Sequence, residues 1–312
     1  MDNGQPLKEV KAILTDFERE LGAGGLEQLP AQAQLIGYGE ISAIFAIKEI
    51  EGWVFKRLPL FESPEQAAAY LENFNEYCNI LAEAGLDLPK HYCHIIPKRE
   101  QLFVLYIGQE RFPDANLGHR RIHEQTEEEN LDMLERIIYA LHDLQVFNQN
   151  NKPALEAAID GQLSNWVWLE TKNGHRLVYI DTSTPLFKRA GKETLNPDLL
   201  LKSAPGPLQA IINLFFLDDV LNRYYRLRDV YIDLAANLYK EQRPDLIPVF
   251  LEKINLYLPA GEAITPEAIR RYYREDKFIW QFFLAARRID RWVKQKLLGR
   301  PYEFILPGPI KR

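Results

Sequence analysis

Sulfur-containing residues are scarce in this chain of 312 residues, which has two cysteines and two methionines. Two cysteines cannot build a disulfide framework, and they cannot supply all four ligands of a cysteine-only zinc site. Because Cys78 and Cys93 both lie in apolar stretches, we expect them to be core residues that behave as small hydrophobic side chains.

Long hydrophobic runs are also missing. The most apolar stretch, residues 211–217, is much shorter than the roughly 18 residues that indicate a membrane-spanning helix. The first residues, MDNGQPLKEV, include acids and a proline where a signal peptide has a basic segment and an apolar run. We therefore expect no membrane span and a cytoplasmic protein.

The chain has no excess of positive charge, since 44 acidic residues outnumber 38 basic ones and give a formal net charge of −6. This balance argues against binding to nucleic acid. Residues 270–312 are an exception, with twelve Lys and Arg residues against four acidic ones. We expect this segment to be the solvated side of amphipathic helices; the alternative is a basic face for an anionic partner, including nucleic acid.

The composition that remains, 46% hydrophobic and 26% charged, is that of a soluble globular protein. Residues 8–21 have the apolar spacing of an amphipathic helix, and residues 34–60 contain short β-rich runs. Ser63 and Pro64 predict the start of a helix that ends near residue 84. HYCHII and QLFVLYI predict two more strands, after which the β-rich part ends near residue 108.

The remainder of the chain has mainly helical periodicity. We predict a helix over residues 131–146 followed by a polar loop at 148–151. One hairpin follows, formed by LSNWVWLE and RLVYIDTSTP around a turn at Asn173-Gly174. Long helices are predicted over most of residues 207–239, 244–257 and 266–298, so that the chain as a whole is of the α+β class.

Two features of the β-rich part suit phosphate binding. The segment GYGEIS places Gly37, Gly39 and Ser42 at a bend between strands, where glycine lets the backbone approach a phosphate closely. Lys56 lies in an apolar strand, where a buried cation needs an acidic partner or an anionic ligand. Each feature has an ordinary alternative, a simple hairpin turn for the glycines and an outward orientation for the lysine.

Four more polar residues suit catalysis. Glu76 lies on the helix after the strands, among acids that face solvent. Asp160 and Asn165 precede the first strand of the hairpin, and Asp181 follows its second strand. Brought across one hairpin, such oxygens can bind Mg²⁺ beside a catalytic base, although each residue alone is also common in turns.

The order of these residues is more informative than any one of them. Gly39 precedes Lys56 by 17 residues, Lys56 precedes Glu76 by 20, and Asp160 precedes Asp181 by 21. Because of this order, residues 35–257 resemble the protein-kinase-like superfamily, and more closely its aminoglycoside and choline phosphotransferase branch. Within that branch, the chain resembles an uncharacterised prokaryotic family.

The resemblance implies a bilobal protein-kinase-like fold with a small antiparallel β-rich lobe, one main helix in that lobe, and a larger helical lobe. Residues 1–33 would be an N-terminal helical extension, residues 34–108 the nucleotide-binding lobe, and residues 109–312 the helical lobe with the catalytic hairpin. The implied function is transfer of phosphate from ATP, with Mg²⁺, to a hydroxyl of a small-molecule acceptor.

The resemblance also implies residue roles at the nucleotide. Gly37, Gly39 and Ser42 would cover the phosphates of ATP. Lys56, held by Glu76, would contact the α and β phosphates.

At the reacting phosphate, Asp160 would be the catalytic base, and Asn165 and Asp181 would bind Mg²⁺. LFVLYI would be the last strand before the hinge, with adenine near residues 106–108.

The acceptor would lie over the helical lobe. Either acids (Glu193 and Asp198) or bases (Arg223, Arg226 and Arg228) would select its charge, and the sequence favours neither set.

Three departures from the family pattern are present, and two of them, Ala158 and Thr182-Ser183, support a second hypothesis. Ala158 stands where the catalytic loop usually has an orienting histidine, Ser42 replaces the third glycine of the loop, and Thr182-Ser183 follow Asp181 in place of Phe-Gly. The alternative is a pseudokinase, a nucleotide-sensing module that binds a protein partner without turnover.

Overall fold

The structure, a computed structural model, describes residues 7–24, 29–39, 41–99, 101–172, 174–196, 198–199, 202, 217–297, 299 and 302–304. It is an α+β protein, as predicted, in which an antiparallel sheet precedes a mainly helical part. We refer to residues 7–110 as the sheet region and to residues 111–304 as the helical region. Among the described helices, none combines the length and apolar character needed to cross a membrane.

The sheet region begins with helix α1 (Leu7–Gly24) and contains one five-stranded antiparallel sheet. The strand order is β1-β2-β3-β5-β4. The strands are β1 (Ala33–Tyr38), β2 (Ala43–Ile47), β3 (Trp53–Phe61), β4 (His91–Arg99) and β5 (Leu102–Glu110). The predicted strands are therefore confirmed, but the last one runs to Glu110, two residues beyond the predicted end at residue 108.

Helix α2 (Pro64–Glu83) connects β3 to β4 and covers one face of this sheet. Its predicted start is confirmed, because the Ser63 hydroxyl accepts a hydrogen bond from the Gln66 amide at 3.3 Å. Helix α1 covers the opposite face, where Phe17 packs against Phe45 with ring centroids 5.2 Å apart. Since strand side chains alternate between faces, β3, β4 and β5 each contribute to two apolar cores, whereas β1 and β2 contribute to the core under α1.

The helical region contains six α-helices and two small sheets within its described residues. The helices longer than one turn are α4 (Glu127–Asn151), α5 (Leu217–Tyr224), α6 (Leu227–Lys240), α7 (Ile247–Asn255) and α8 (Pro266–Trp292), and α3 (Gly118–Arg121) is a single turn before them. The strands are β6 (Leu155–Ala157), β7 (Trp166–Thr171), β8 (Gly174–Tyr179), β9 (Phe187–Arg189) and β10 (Lys192–Glu193). Strands β7 and β8 form the predicted hairpin.

One predicted loop was wrong. Residues 148–151 belong to α4, and Asn148 is buried inside the molecule instead of lying in a polar loop. Its amide donates to the Ala157 carbonyl at 2.7 Å, and its carbonyl accepts from the Ala157 amide at 2.8 Å. A polar side chain is therefore used in the core to pair the backbone of a short strand. The turn residue Asn173 and the apolar stretch 211–216 lie outside the described residues.

A buried ionic network joins α1 to β3. The Arg57 guanidinium donates two 2.8 Å hydrogen bonds to the Glu18 carboxylate, and the two side chains are 1% and 2% exposed. Lys98 contacts Glu18 at 2.7 Å, and Arg57 also donates to the Glu303 carbonyl at 3.0 Å. Burial alone would raise the pKa of Glu18, but the hydrogen bonds and charges of Arg57 and Lys98 outweigh burial and lower it to about 2.

Removing Glu18 should leave a buried guanidinium without its main partner. We expect Glu18→Ala to lower the free energy of unfolding by about 3–5 kcal/mol at pH 7. The exposed pair Arg19–Asp16 on the same helix supplies the control, because Asp16→Ala should cost less than about 1 kcal/mol. Denaturant unfolding measures both, and equal effects would contradict the network.

Because the folded-state pKa of Glu18 lies below its ordinary 4.5, the contribution of Glu18 to the free energy of unfolding is complete above pH 4.5 and is lost as pH falls towards 2.

Candidate functional site

The candidate site lies where β3 of the sheet region meets the end of β8 in the helical region. The Lys56 ammonium donates to the Asp181 carboxylate at 3.0 Å and to the Ile180 carbonyl at 3.0 Å. The Ser183 hydroxyl lies 3.4 Å from the same ammonium and donates to the Asp181 carboxylate at 3.2 Å. Lys56 is 7% exposed and Asp181 is 33% exposed, so the cation is the deeper of the two charges.

The Asp160 loop forms the second part of the site. The Asn165 side-chain amide donates to the Asp160 carbonyl at 3.1 Å, and the Gln162 amide donates to the Asp160 carboxylate at 3.1 Å. Asn165 is joined in turn to β8, because its carbonyl accepts from the Ile180 amide at 2.9 Å. A continuous series of hydrogen bonds thus leads from Asp160 through Asn165 and Ile180 to Lys56.

Contacts with the helical region, and within the loop itself, fix the Asp160 loop. The Leu163 amide donates to the Asn237 side chain at 3.2 Å, and the Trp166 indole donates to the Gly161 carbonyl at 3.2 Å. A side chain at position 161 would come within 2.9 Å of Val230 on α6, so glycine permits this close approach. The loop backbone is therefore fixed on both sides of Asn165.

Three residues that the sequence analysis missed connect the two regions at the site. The Tyr77 hydroxyl donates to the Ala158 carbonyl at 2.6 Å, and the Tyr70 hydroxyl donates to the Ser183 carbonyl at 2.6 Å. Gln109 on β5 donates to Thr182 at 2.9 Å. Tyr70 and Tyr77 lie seven residues apart, which puts them on one face of α2 and was a readable signal; nothing in the sequence singled out Gln109.

Ala158 is fully buried and bonded through its backbone. Besides accepting from Tyr77, it donates its amide to the Leu186 carbonyl at 2.9 Å. The backbone at position 158 is thus held from the sheet region by a tyrosine hydroxyl.

The predicted partnership between Lys56 and Glu76 was wrong. Glu76 pairs with Arg189 on β9, and the acid that contacts Lys56 is Asp181. Helix α2 turns its buried face, with Tyr70, Phe74 and Tyr77, towards the site. Glu76 is 34% exposed and lies on a different side of the helix. The identity of an acid on a helix does not specify which face the tertiary structure buries.

The glycine-containing segment forms a tight turn between β1 and β2. The Gly39 amide donates to the Ser42 carbonyl at 2.9 Å, and a side chain at position 39 would approach the Ser42 hydroxyl to 2.6 Å. Gly37 is paired with Ile44 next to a bulge in β1. A side chain at position 39 would therefore require the Ser42 hydroxyl to move, whatever the turn binds.

The expected adenine position, residues 106–108, lies inside β5 and not in a hinge. Tyr106 is fully buried on the face covered by α1, where its hydroxyl donates to Glu18. The end of the strand and the crossing to the helical region come after Glu110. This correction moves any hinge by about three residues along the chain.

The residues considered for acceptor selection are dispersed. The Tyr225 hydroxyl donates its one hydrogen to the Glu193 carboxylate and lies 2.8 and 3.0 Å from its two oxygens; burial nevertheless raises the pKa of Glu193. Asp198 is exposed, and Arg226 pairs with Asp229. Arg228 donates to the Glu262 carbonyl at 2.9 Å, and Arg223 lies over the ring of Tyr272. These contacts do not single out an acceptor charge.

The donor atoms at Asn165 and Asp181 fit Mg²⁺. Because the Asn165 nitrogen donates to Asp160, its side-chain oxygen points the other way, 3.5 Å from the Ser164 hydroxyl. Lys56 and Ser183 both contact Asp181 at one carboxylate oxygen, Oδ1. Amide and carboxylate oxygens are the ligands that Mg²⁺ prefers. The described residues contain no group of three or more His, Cys, Asp and Glu side chains arranged to hold a metal ion.

Comparisons with known proteins give a family for the chain. No protein of curated function matches the sequence. One similar solved structure is described as WaaP in complex with acyl carrier protein. The sequence identity is 16%, the match covers 77% of this chain and 95% of that chain, and the TM-score is 0.35. The model of a family of unknown function, DUF6206, matches residues 34–291. The chain therefore belongs to family DUF6206.

Proposed function

We propose that the chain is an ATP- and Mg²⁺-dependent phosphotransferase that acts on a hydroxyl of a small-molecule acceptor. In this proposal the fold is bilobal and protein-kinase-like, with residues 34–108 as the nucleotide-binding lobe and residues 109–312 as the helical lobe. The observation that carries the proposal is the contact between the buried Lys56 ammonium and the half-buried Asp181 carboxylate. A fixed cation beside an outward-facing carboxylate can take the negative phosphates on one side and a metal ion on the other.

Lys56 has the role of phosphate binder in this proposal. Its ammonium has three donors, and a triphosphate oxygen can replace the Ile180 carbonyl or the Ser183 hydroxyl as acceptor. Burial makes the charge of Lys56 more effective, because the attraction between opposite charges grows as the effective dielectric constant falls. Gly37, Gly39 and Ser42 would lie over the phosphates, with their turn held by the hydrogen bond from Gly39 to Ser42.

Asp160 would orient the acceptor hydroxyl and take up its proton. The Asn165 amide and the Gln162 amide fix the two ends of this residue, its carbonyl and its carboxylate. Asn165 and Asp181 would hold Mg²⁺, which, when bound, neutralises charge on the transferred phosphate. Little covalent chemistry is left to the protein, so positioning of this kind supplies most of its contribution.

A second function is favoured by one specific observation. The Lys56 ammonium already contacts three acceptors in the structure, the Ile180 carbonyl, the Asp181 carboxylate and the Ser183 hydroxyl. A lysine whose hydrogen bonds are already made to protein acceptors suits a pseudokinase, in which the fold binds a partner without turnover. Ala158, in place of the orienting histidine, points in the same direction.

Nucleotide binding tests the proposed site. At a MgATP concentration about 100 times Kd, we expect the melting temperature of the full chain to rise by about 4 °C. Asp181→Ala should lose the metal-dependent part of this rise, because it removes a metal ligand. Asp143→Ala, which changes an exposed acid on α4, should keep the full rise. Absence of any rise in the wild-type protein would reject nucleotide binding.

Turnover separates the two functions. With ATP, Mg²⁺ and a panel of small-molecule alcohols, we expect phosphate transfer that Asp160→Asn lowers by about 10²–10⁴-fold in kcat. The same variant should keep the MgATP-dependent thermal shift, because Asp160 contacts the acceptor and not the nucleotide. Transfer that is equally fast in the variant would contradict the role of Asp160. Nucleotide binding without transfer to any acceptor would favour the pseudokinase.

A further inference from the structure

The solvent side of α8 has a stripe of large apolar residues. Phe278 is 70% exposed, Phe282 56%, Ile289 64% and Trp292 56%. Their spacing of four, seven and three residues keeps them within about 40° of one line along the helix, since successive residues are about 100° apart. We call these four residues the α8 stripe; it is about 21 Å long at about 1.5 Å per residue.

The α8 stripe is not the core face of the helix. The other side of α8 packs on α6, and its buried residues are Ile269, Leu284 and Arg287. Basic residues of α8 that we expected on a solvated side, including Arg271 and Arg274, are exposed, and the same side also carries these four apolar side chains. Four exposed large apolar side chains in one line need a partner more than four scattered ones do.

Cations lie at both ends of the α8 stripe. Arg271 and Arg274 precede it on the same side of the helix, and Lys296 follows it, all three exposed. One acid, Glu275, is exposed near the N-terminal cations, and Arg288 is exposed along one flank. The face therefore combines aromatic and aliphatic side chains in the middle with a net positive charge around them.

We propose that the α8 stripe docks on the surface of an anionic lipid bilayer, with the helix lying in the plane of the interface. Phe278, Phe282, Ile289 and Trp292 would enter the boundary between headgroups and acyl chains, and Arg271, Arg274 and Lys296 would contact anionic headgroups. A helix with an aromatic stripe and Lys or Arg beside it is the form that such interfacial helices take. This inference does not depend on the proposed phosphotransfer.

The charges argue against a second copy of the chain as the occupant. If two α8 stripes paired in antiparallel fashion, Arg271 and Arg274 of one copy would lie near Lys296 of the other. Parallel pairing would bring equal residues together. Both arrangements place like charges of the two copies next to each other, where they repel. A negative surface instead attracts both ends of the stripe.

Co-sedimentation of the full chain with vesicles tests this surface. We expect binding to phosphatidylcholine vesicles with about 30 mol% phosphatidylserine, and little binding to phosphatidylcholine alone. Phe282→Ser combined with Ile289→Ser should lower the partition coefficient by at least about tenfold, because less apolar surface is buried at the membrane. Leu256→Ser is the matched control, since Leu256 is 79% exposed but lies outside the stripe. Unchanged melting temperatures show that the variants fold.

A charge variant completes the test. Arg271→Gln combined with Arg274→Gln should weaken binding to the anionic vesicles, and Lys172→Gln, at an exposed site in the β7–β8 turn, should not. Absence of vesicle binding by the wild-type protein would overturn the proposal. A dimer that Phe282→Ser dissociates, without any vesicle binding, would overturn it in favour of a second copy of the chain.

Discussion

Two consecutive cations in one central strand govern the rest of this structure. Lys56 and Arg57 are neighbours on β3, and the alternation of strand side chains sends them to opposite faces of the sheet. Both side chains are buried, with 7% and 1% of their surface exposed, and neither can remain there without compensation. Acidic side chains must therefore lie against each face of the sheet, and on the two faces they come from distant parts of the chain.

On the Arg57 face, the acids are Glu18 from α1 and Glu303 from the C-terminal segment. On the Lys56 face, the acid is Asp181 from the end of the hairpin. One strand thus joins the first helix, the hairpin and the C-terminal segment through charge. Because removing one partner of a buried ion pair costs several kcal/mol, this arrangement fixes the candidate site to the scaffold on both sides of the sheet.

The elements of the fold were largely readable because their signals are local. The Ser63 cap, the alternation in the strands and the hairpin patterns all depend on residues within a few positions of each other. The errors involve contacts between distant residues. Asn148 is polar and looks like a loop residue, yet it is buried because Ala157 needs its amide. Glu76 has the right residue type, but the packing of α2 gives it Arg189 as a partner.

The sequence singled out four residues that the structure brings together but not the contacts among them, and the functional roles of these residues stay predictions. Lys56, Asp160, Asn165 and Asp181 are joined by a continuous series of hydrogen bonds, and their sequence order had indicated that they act together. Tyr70, Tyr77 and Gln109 tie this hairpin to the sheet region. The spacing of the two tyrosines puts them on one face of α2, but nothing in the sequence singles out Gln109. Their role depends on how the two regions meet, and that relation is set by tertiary packing.

The most direct test of the central claim is covalent labelling with an ATP derivative whose terminal phosphate carries an acyl group. A lysine amine beside the bound phosphates attacks the acyl carbon, forms an amide and releases ATP, and mass spectrometry of the digested chain then identifies the lysine. The account predicts acylation at Lys56 that excess MgATP prevents. Acylation confined to exposed lysines such as Lys172, with no protection by MgATP, would contradict a nucleotide site at Lys56.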